Sequence, residues 1–235
     1  SVLTAKRYRP SGNSGLILRF FAAAAGLCDG YTVLTGDESI RHIRPIGPLV
    51  DGLCQLGAFA VSTKDDGHAP VVVRGPLKGG LATIDGADSQ HVSALLFAAS
   101  AAGVDAEIRV NNPGERPWVG LTLHWLQRLG VGIECENFER YVVRRRPSGC
   151  WPGFDFTVPA DWSAAMYPLV AGLLAADGEV TVVGVDPADP QPDRLALDVF
   201  RDMGGQIEVN GDRVTARGSR LVGRRIDCND FIDQF

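Results

Sequence analysis

Three stretches of the chain are apolar on every side instead of alternating: GLILRFFAAAAG (15–26), SALLFAASAAG (93–103) and AAMYPLVAGLLAADG (164–178). A helix with no polar face has to be buried, so each stretch predicts a core helix. A strand-like run follows each one, YTVLTG (31–36), AEIRVNN (106–112) and EVTVVG (179–184). An amphipathic helical pattern comes next, opened near Pro45, Pro117 or Pro192, where proline suits a first turn. Two more period-2 runs close the set, ending in VVVRG (71–75), YVVRR (141–145) and RVTARG (213–218). The order β-α-β-α-β-β, repeated, predicts a mixed α/β fold.

The repetition is internal duplication. Gly26, Gly103 and Gly178, which end the small-residue runs, lie 77 and 75 residues apart; Gly57, Gly130 and Gly204, which end the amphipathic patterns, lie 73 and 74 apart. That period exceeds the ~20–50 residues of solenoid repeats, so a whole subdomain is copied. Units are expected from about Ser11, Thr83 and Asp155, with buried helices near 15–25, 89–101 and 163–176. The second unit opens with GLATIDGADSQ (80–90) and the third with GFDFTVPADWS (153–163), whereas the first shows no convincing leading strand. RRIDCNDFIDQF (224–235) reads as the opening of a fourth unit. Both ends thus fall mid-unit, and a segment of a longer natural sequence is expected. Residues 1–158 would hold two units of one globular domain and 159–235 one unit plus the start of the next in a second, crossing near Val158–Asp161.

Composition narrows the function classes. Of 235 residues, 45% are hydrophobic and 22% charged, a globular profile. The longest apolar runs, Ala94–Val104 and Met166–Ala176, have 11 residues, short of the ~18–20 a membrane span needs. The net charge of −5 makes the chain a poor nonspecific binder of nucleic acid or membrane, although KRYR (6–9), RHIR (41–44) and RRR (144–146) concentrate cations locally. Five scattered cysteines (28, 54, 135, 150 and 228) with no CxxC pair, and four histidines with no HExxH, read as reduced thiols in a cytoplasmic protein without a zinc site.

Polar turns precede the buried helices: GNSG (12–15), DSQ (88–90), DWS (161–163) and NDFID (229–233). The first amides of a helix have no intrahelical partner, so parallel helix heads can bind phosphate or carboxylate. The plainer reading is that Ser14, Ser89 and Ser163 are N-caps. Convergent arginines favour the anion site, since capping needs none. No P-loop, GxGxxG or nucleophile elbow is present. Asp37-Glu38, the RRR run, His91 and His124 read as solvated or packing residues.

Asn13-Ser14-Gly15 with Arg19, LTGDESIRHIRPIGPLVDGL (34–53), IDGADSQHVSALL (84–96), GERPWVGLTLHWLQRLGV (114–131) and VPADWSAAMYPL (158–169) together resemble the EPSP synthase (3-phosphoshikimate 1-carboxyvinyltransferase) family, in order from about Ser11 to Phe235. The resemblance implies an inside-out α/β barrel, enolpyruvyl transferase-like, built from βαβαββ units around buried parallel helices. It places Gly15 beside phosphoenolpyruvate, and Arg44 on that substrate's anion. Ser89 falls on the 3-phosphate of shikimate-3-phosphate, Gln90 between both substrates, and Trp118 beside the shikimate ring, where Tyr is usual. Asp233 falls on the ring hydroxyls and serves as the catalytic proton-transfer residue. Asp88 and Arg116 complete the candidate binding set. Asp88 stands where the family has Ser, Glu115 where a phosphate-contacting serine is common, Ile43 is an extra residue before Arg44, and Phe231-Ile232-Asp233 replaces Ile-Pro-Asp.

The implied reaction transfers enolpyruvyl from phosphoenolpyruvate to the 5-hydroxyl of shikimate-3-phosphate in the shikimate pathway of aromatic amino-acid biosynthesis, with no metal or other cofactor. The resemblance further implies small anionic substrates as the only partners and a monomer at full length. The alternatives are a UDP-N-acetylglucosamine enolpyruvyl transferase, which would need a reactive loop cysteine, and a noncatalytic segment that keeps only the fold.

Overall fold

The computed structural model describes residues 7–145, 151, 153–228 and 231. The chain divides into two compact units, Ser1–Pro152 and Gly153–Phe235. The first holds two successive repeats. One runs β1 (Arg7–Pro10), α1 (Gly15–Ala25), β2 (Thr32–Thr35), α2 (Glu38–His42), α3 (Gly47–Gln55), β3 (Phe59–Ser62) and β4 (Val71–Arg74). The next runs β5 (Gly80–Asp85), α4 (Ser89–Ala102), β6 (Ala106–Asn111), α5 (Arg116–Arg128), β7 (Ile133–Glu136) and β8 (Arg140–Val143). Their sheets share one order, β1-β2-β4-β3 and β5-β6-β8-β7. In each, the first two strands are parallel and the rest antiparallel.

The second unit repeats the plan with α6 (Trp162–Leu174), β9 (Glu179–Val183), a 3-10 turn at Pro192–Leu195 leading into α7 (Ala196–Asp202), then β10 (Gln206–Asn210) and β11 (Arg213–Arg217). Its sheet order, β10-β11-β9, matches the same three places of the other two. The duplication read from glycine spacing therefore extends to strand neighbours.

Two expectations about leading strands are corrected. The first repeat does have one: β1 pairs in parallel with β2, Arg7 opposite Thr32 through Pro10 opposite Thr35. Its RYRP sequence hid it, because no apolar alternation marks it. Conversely, no strand forms over 153–160. Phe154 and Val158 are exposed there, so these two apolar side chains gain no burial, and Pro159 has no N–H to donate to a ladder. One bond of the parallel pairing persists nevertheless: Ala160 N–H donates to the Gly184 carbonyl at 2.7 Å, as Ser11 does to Thr35 (2.7 Å) and Gly86 to Asn111 (2.8 Å).

Helix α4 is buried nearly all round. Gly52 on α3 lets it close in, since a Cβ there would stand 2.7 Å from Leu95 Cδ2. Helix α1 packs along α4, with Phe20 and Phe97 ring centroids 6.0 Å apart, yet it leaves Leu16, Ile17 and Phe21 exposed. Helix α6 likewise exposes Tyr167 and Leu174. An all-apolar sequence thus marks two helices here that bury only part of their circumference. Among the described residues no helix is long and apolar enough to cross a membrane.

Candidate functional site

The heads of α1 and α4 come together around one buried cation. Arg19 lies a turn inside α1, on the face of Gly15, and is only 2% exposed. Desolvating a guanidinium is costly unless its donors are met, and here they are. Nε and Nη2 donate to the Pro45 carbonyl at 3.2 and 2.9 Å, and Nη1 to Gln90 Oε1 at 2.7 Å. Nη2 also pairs with Asp88 Oδ2 at 2.9 Å. Burial pulls the Arg19 pKa down, Asp88 restores part of it and the Arg44 charge opposes it; the group stays ionised. His91, also buried, brings Nε2 to 3.1 Å from the same Pro45 oxygen. Its pKa is lowered, first by burial and then by Arg19, so the neutral Nε2–H form donates.

Three donors on one carbonyl tether the Arg44-Pro45 loop to both helices. The tether carries Arg44 to the first turn of α1: a Cβ on Gly15 would lie 3.7 Å from Arg44 Cδ and 3.4 Å from Arg19 Nη1. Gly15, Arg44 and Gln90, three of the candidate residues, are therefore gathered at one place. Because arginine only donates, the Gln90 carbonyl is committed to Arg19 and its amide nitrogen is left to donate.

The capping expectation holds for one of the three serines. Ser14 caps α1, its Oγ accepting from Ile17 N–H at 3.2 Å. The caps of α4 and α6 are Asp88 and Asp161, which accept from Gln90 N–H (2.9 Å) and from Ser163 and Ala164 N–H (3.2 and 3.1 Å). An aspartate one residue before Ser89, and two before Ser163, takes the cap because its acceptor is charged. Ser89 becomes the N1 residue of α4 and Ser163 the N2 residue of α6, each with its hydroxyl turned to a carboxylate: Ser89 Oγ donates to Glu115 Oε2 at 2.7 Å, and Ser163 Oγ donates to Asp193 Oδ2. Asp37 caps α2, accepting from Ile40 N–H at 3.2 Å, which leaves Asp37-Glu38 a structural pair.

The remaining candidates are dispersed. Trp118 lies in the first turn of α5 beside Glu115, its indole N–H buried without a hydrogen-bond partner among the described residues. Arg116 is exposed, and its Nε reaches back only to the Pro113 carbonyl at 3.4 Å. Arg144 of the RRR run is an exposed partner of Glu134 at 3.0 Å. Asp233, most of the NDFID turn, and Arg146 lie outside the described residues. Arg19, present in the motif but given no role by sequence reasoning, is the hub. The signal was a lone charge inside an otherwise apolar helix, which has to find buried partners.

Comparison with known proteins shows the family and the fold. A family model of EPSP synthase (3-phosphoshikimate 1-carboxyvinyltransferase) matches residues 2–235. The 3-phosphoshikimate 1-carboxyvinyltransferase of Acetivibrio thermocellus is 39% identical over 226 residues, covering 94% of this chain and 52% of that protein. Those of Methanothrix thermoacetophila and Halobacterium salinarum are 40% and 41% identical with the same coverage. The chain spans about half the length of these curated relatives. Among solved structures, EPSP synthase from Acinetobacter baumannii superposes with a TM-score of 0.72 at 22% identity, over 97% of this chain and 53% of that one. The enolpyruvyl transferase NikO from Streptomyces tendae gives 0.58 at 22% identity, over 86% and 46%. The fold is that of the enolpyruvyl transferases, and the chain belongs to the EPSP synthase family.

Proposed function

We propose that the full-length protein transfers the enolpyruvyl group of phosphoenolpyruvate to the 5-hydroxyl of shikimate-3-phosphate, and that this chain supplies one wall of the cleft. The observation carrying this reading is the meeting of Arg44 with Gly15 over buried Arg19. A planar guanidinium grips carboxylate or phosphate bidentately, and a glycine opposite it leaves room for a small anion against the backbone. Arg44 takes phosphoenolpyruvate, and Ser89 at the head of α4 takes the acceptor's 3-phosphate. Gln90, its amide nitrogen aimed by Arg19, bridges the two substrates, and Trp118 flanks the ring. The acceptor hydroxyl gives up its proton as its oxygen attacks C2 and C3 gains a proton, giving a ketal phosphate tetrahedral at C2; cleavage of the C2–O bond then expels phosphate and C3 gives up a proton, which leaves the enolpyruvyl ether. Asp233 binds the ring hydroxyls and assists proton transfer.

Residues 1–158 and 159–235 belong in this reading to two globular domains whose other units complete the cleft. The names of the relatives favour the shikimate acceptor over UDP-N-acetylglucosamine. Scattered thiols support a cytoplasmic setting, and the protein acts as a monomer. Replacing Arg44 with Ala in the full-length protein should weaken phosphoenolpyruvate binding by tenfold or more, in line with loss of a charged hydrogen bond at ~1.5–3 kcal/mol, while shikimate-3-phosphate binding changes little. Equal loss of both in calorimetry would count against these roles.

A further inference from the structure

The proposed chemistry does not account for the carboxylate of Glu115. One of its oxygens, Oε2, accepts from the Ser89 hydroxyl at 2.7 Å and from the Ser89 backbone N–H at 3.1 Å. These are the two donors an incoming oxyanion would use, at the positive end of a fourteen-residue helix where anions are favoured. Glu115 reaches them from the N-cap of α5, 26 residues on, with its backbone in the left-handed region at φ +45°, which glutamate seldom adopts. The other carboxylate there, Asp88, is matched by Arg19 at 2.9 Å. No ion pair with Glu115 forms among the described residues.

The second compact unit shows what a purely structural version looks like. Ser163 also donates to a carboxylate, but that group, Asp193, is wholly buried. Glu115 is only half-buried, so its side chain can leave toward solvent without opening the core.

We propose that Glu115 is a specificity-determining residue: its carboxylate occupies the anion seat made by Ser89, and a phosphorylated acceptor binds only by displacing it. This rests on the assignment of Ser89 to the acceptor phosphate. Two anions cannot share the same two donors, because like charges at hydrogen-bonding distance repel strongly where water is scarce. The affinity for a phosphate is therefore lowered by whatever holds Glu115 in place, and an acceptor without that phosphate escapes the competition.

The test is calorimetry on the full-length protein, titrating inorganic phosphate, shikimate-3-phosphate and shikimate into wild type, Glu115→Ser and Glu115→Gln. Glu115→Ser should bind phosphate and shikimate-3-phosphate at least tenfold more tightly, and shikimate within twofold of wild type. Glu115→Gln should fall between, since its amide oxygen still accepts from Ser89 but carries no charge. It also keeps the side chain's length, should the serine variant lose its cooperative melt. Adding Ser89→Ala to either variant should abolish the gain. Unchanged or weaker phosphate binding in the folded variants overturns the proposal. Tighter inorganic phosphate with no shikimate-3-phosphate binding would uphold the role of Glu115 and remove the assigned acceptor. Normal turnover of shikimate-3-phosphate with unchanged phosphate affinity would remove the role of Glu115 alone.

Discussion

At the residue scale, burial dictates protonation. Arg19 and His91 sit side by side under the Arg44-Pro45 loop and share an acceptor, so only one of them can be charged without unbalanced repulsion. The stronger base keeps its proton. His91 therefore has a folded-state pKa below its ordinary 6.5, through burial first and the Arg19 charge second, against smaller opposing pulls from Asp88, the Pro45 carbonyl and Asp85. The sign of the resulting pH dependence follows. Above pH 6.5 both folded and unfolded chains hold a neutral imidazole. As pH falls through 6.5 the unfolded chain protonates first, so stability declines until the lower folded pKa is passed. Urea unfolding between about pH 7 and about pH 5.5 should show this decline, and His91→Gln, whose amide can still donate to Pro45, should flatten it. Identical slopes in the two proteins would mean that other groups carry the acid sensitivity.

Helix heads are where local signals and tertiary partners compete at the element scale. Each buried helix begins with the same problem, unpaired amides near the core, and each solves it with a different residue. Ser14 suffices for α1. Asp88 and Asp161 serve α4 and α6, and Gln191 adds to the latter by accepting from Trp162 N–H at 2.9 Å and donating to Asp161 Oδ1 at 2.7 Å. Asp161→Ala removes the acceptor for two amides and one of the two acceptors of the Gln191 amide, which keeps Ser163 Oγ at 3.1 Å, so a loss of about 1–2 kcal/mol is expected in denaturant unfolding. Ser14→Ala, with one exposed bond, should cost about 0.5–1 kcal/mol. A smaller effect at Asp161 than at Ser14 would contradict this ranking of the caps. The sequence shows a polar turn before each helix. Which oxygen does the capping depends on where the neighbouring carboxylates arrive, 26 residues away for Glu115 and 30 for Asp193.

For the whole molecule, charge distribution limits what this chain can do by itself. Phosphoenolpyruvate and shikimate-3-phosphate are both multiply charged anions, and a closed site must answer them from all sides. In the proposed cleft Arg44, Ser89 and Gln90 supply one wall, in a chain of net charge −5 that spans about half the length of its curated relatives. Losing a buried partner of a charged group typically costs ~2–5 kcal/mol, and about 1.4 kcal/mol is a tenfold change in rate. Residues 1–235 alone should therefore release no measurable phosphate from the two substrates, whereas the full-length protein should. A continuous phosphate assay on both decides it, and turnover by the shorter chain would show that one wall is enough.

The helix and strand order that follows each polar turn, the positions of the three core helices and the duplication were legible in the sequence, because hydrophobic period is a local property and is written here three times; the leading strands of the first and third units and the exposed sides of α1 and α6 were not. The gathering of Gly15, Arg44 and Gln90 was legible too, through motifs that surround them. What the sequence could not settle is whatever depends on partners far along the chain. RYRP becomes a strand because β2 offers it a parallel edge, while GFDFTV, richer in apolar residues, forms no strand and leaves Phe154 and Val158 exposed. Arg19 becomes the hub through bonds to residues 26 and 71 positions away. Ser89 receives a carboxylate instead of capping its helix, since Asp88 has already taken the amide and Glu115 is delivered by another helix. Periodicity fixes which face of an element is apolar; only packing decides which polar groups meet.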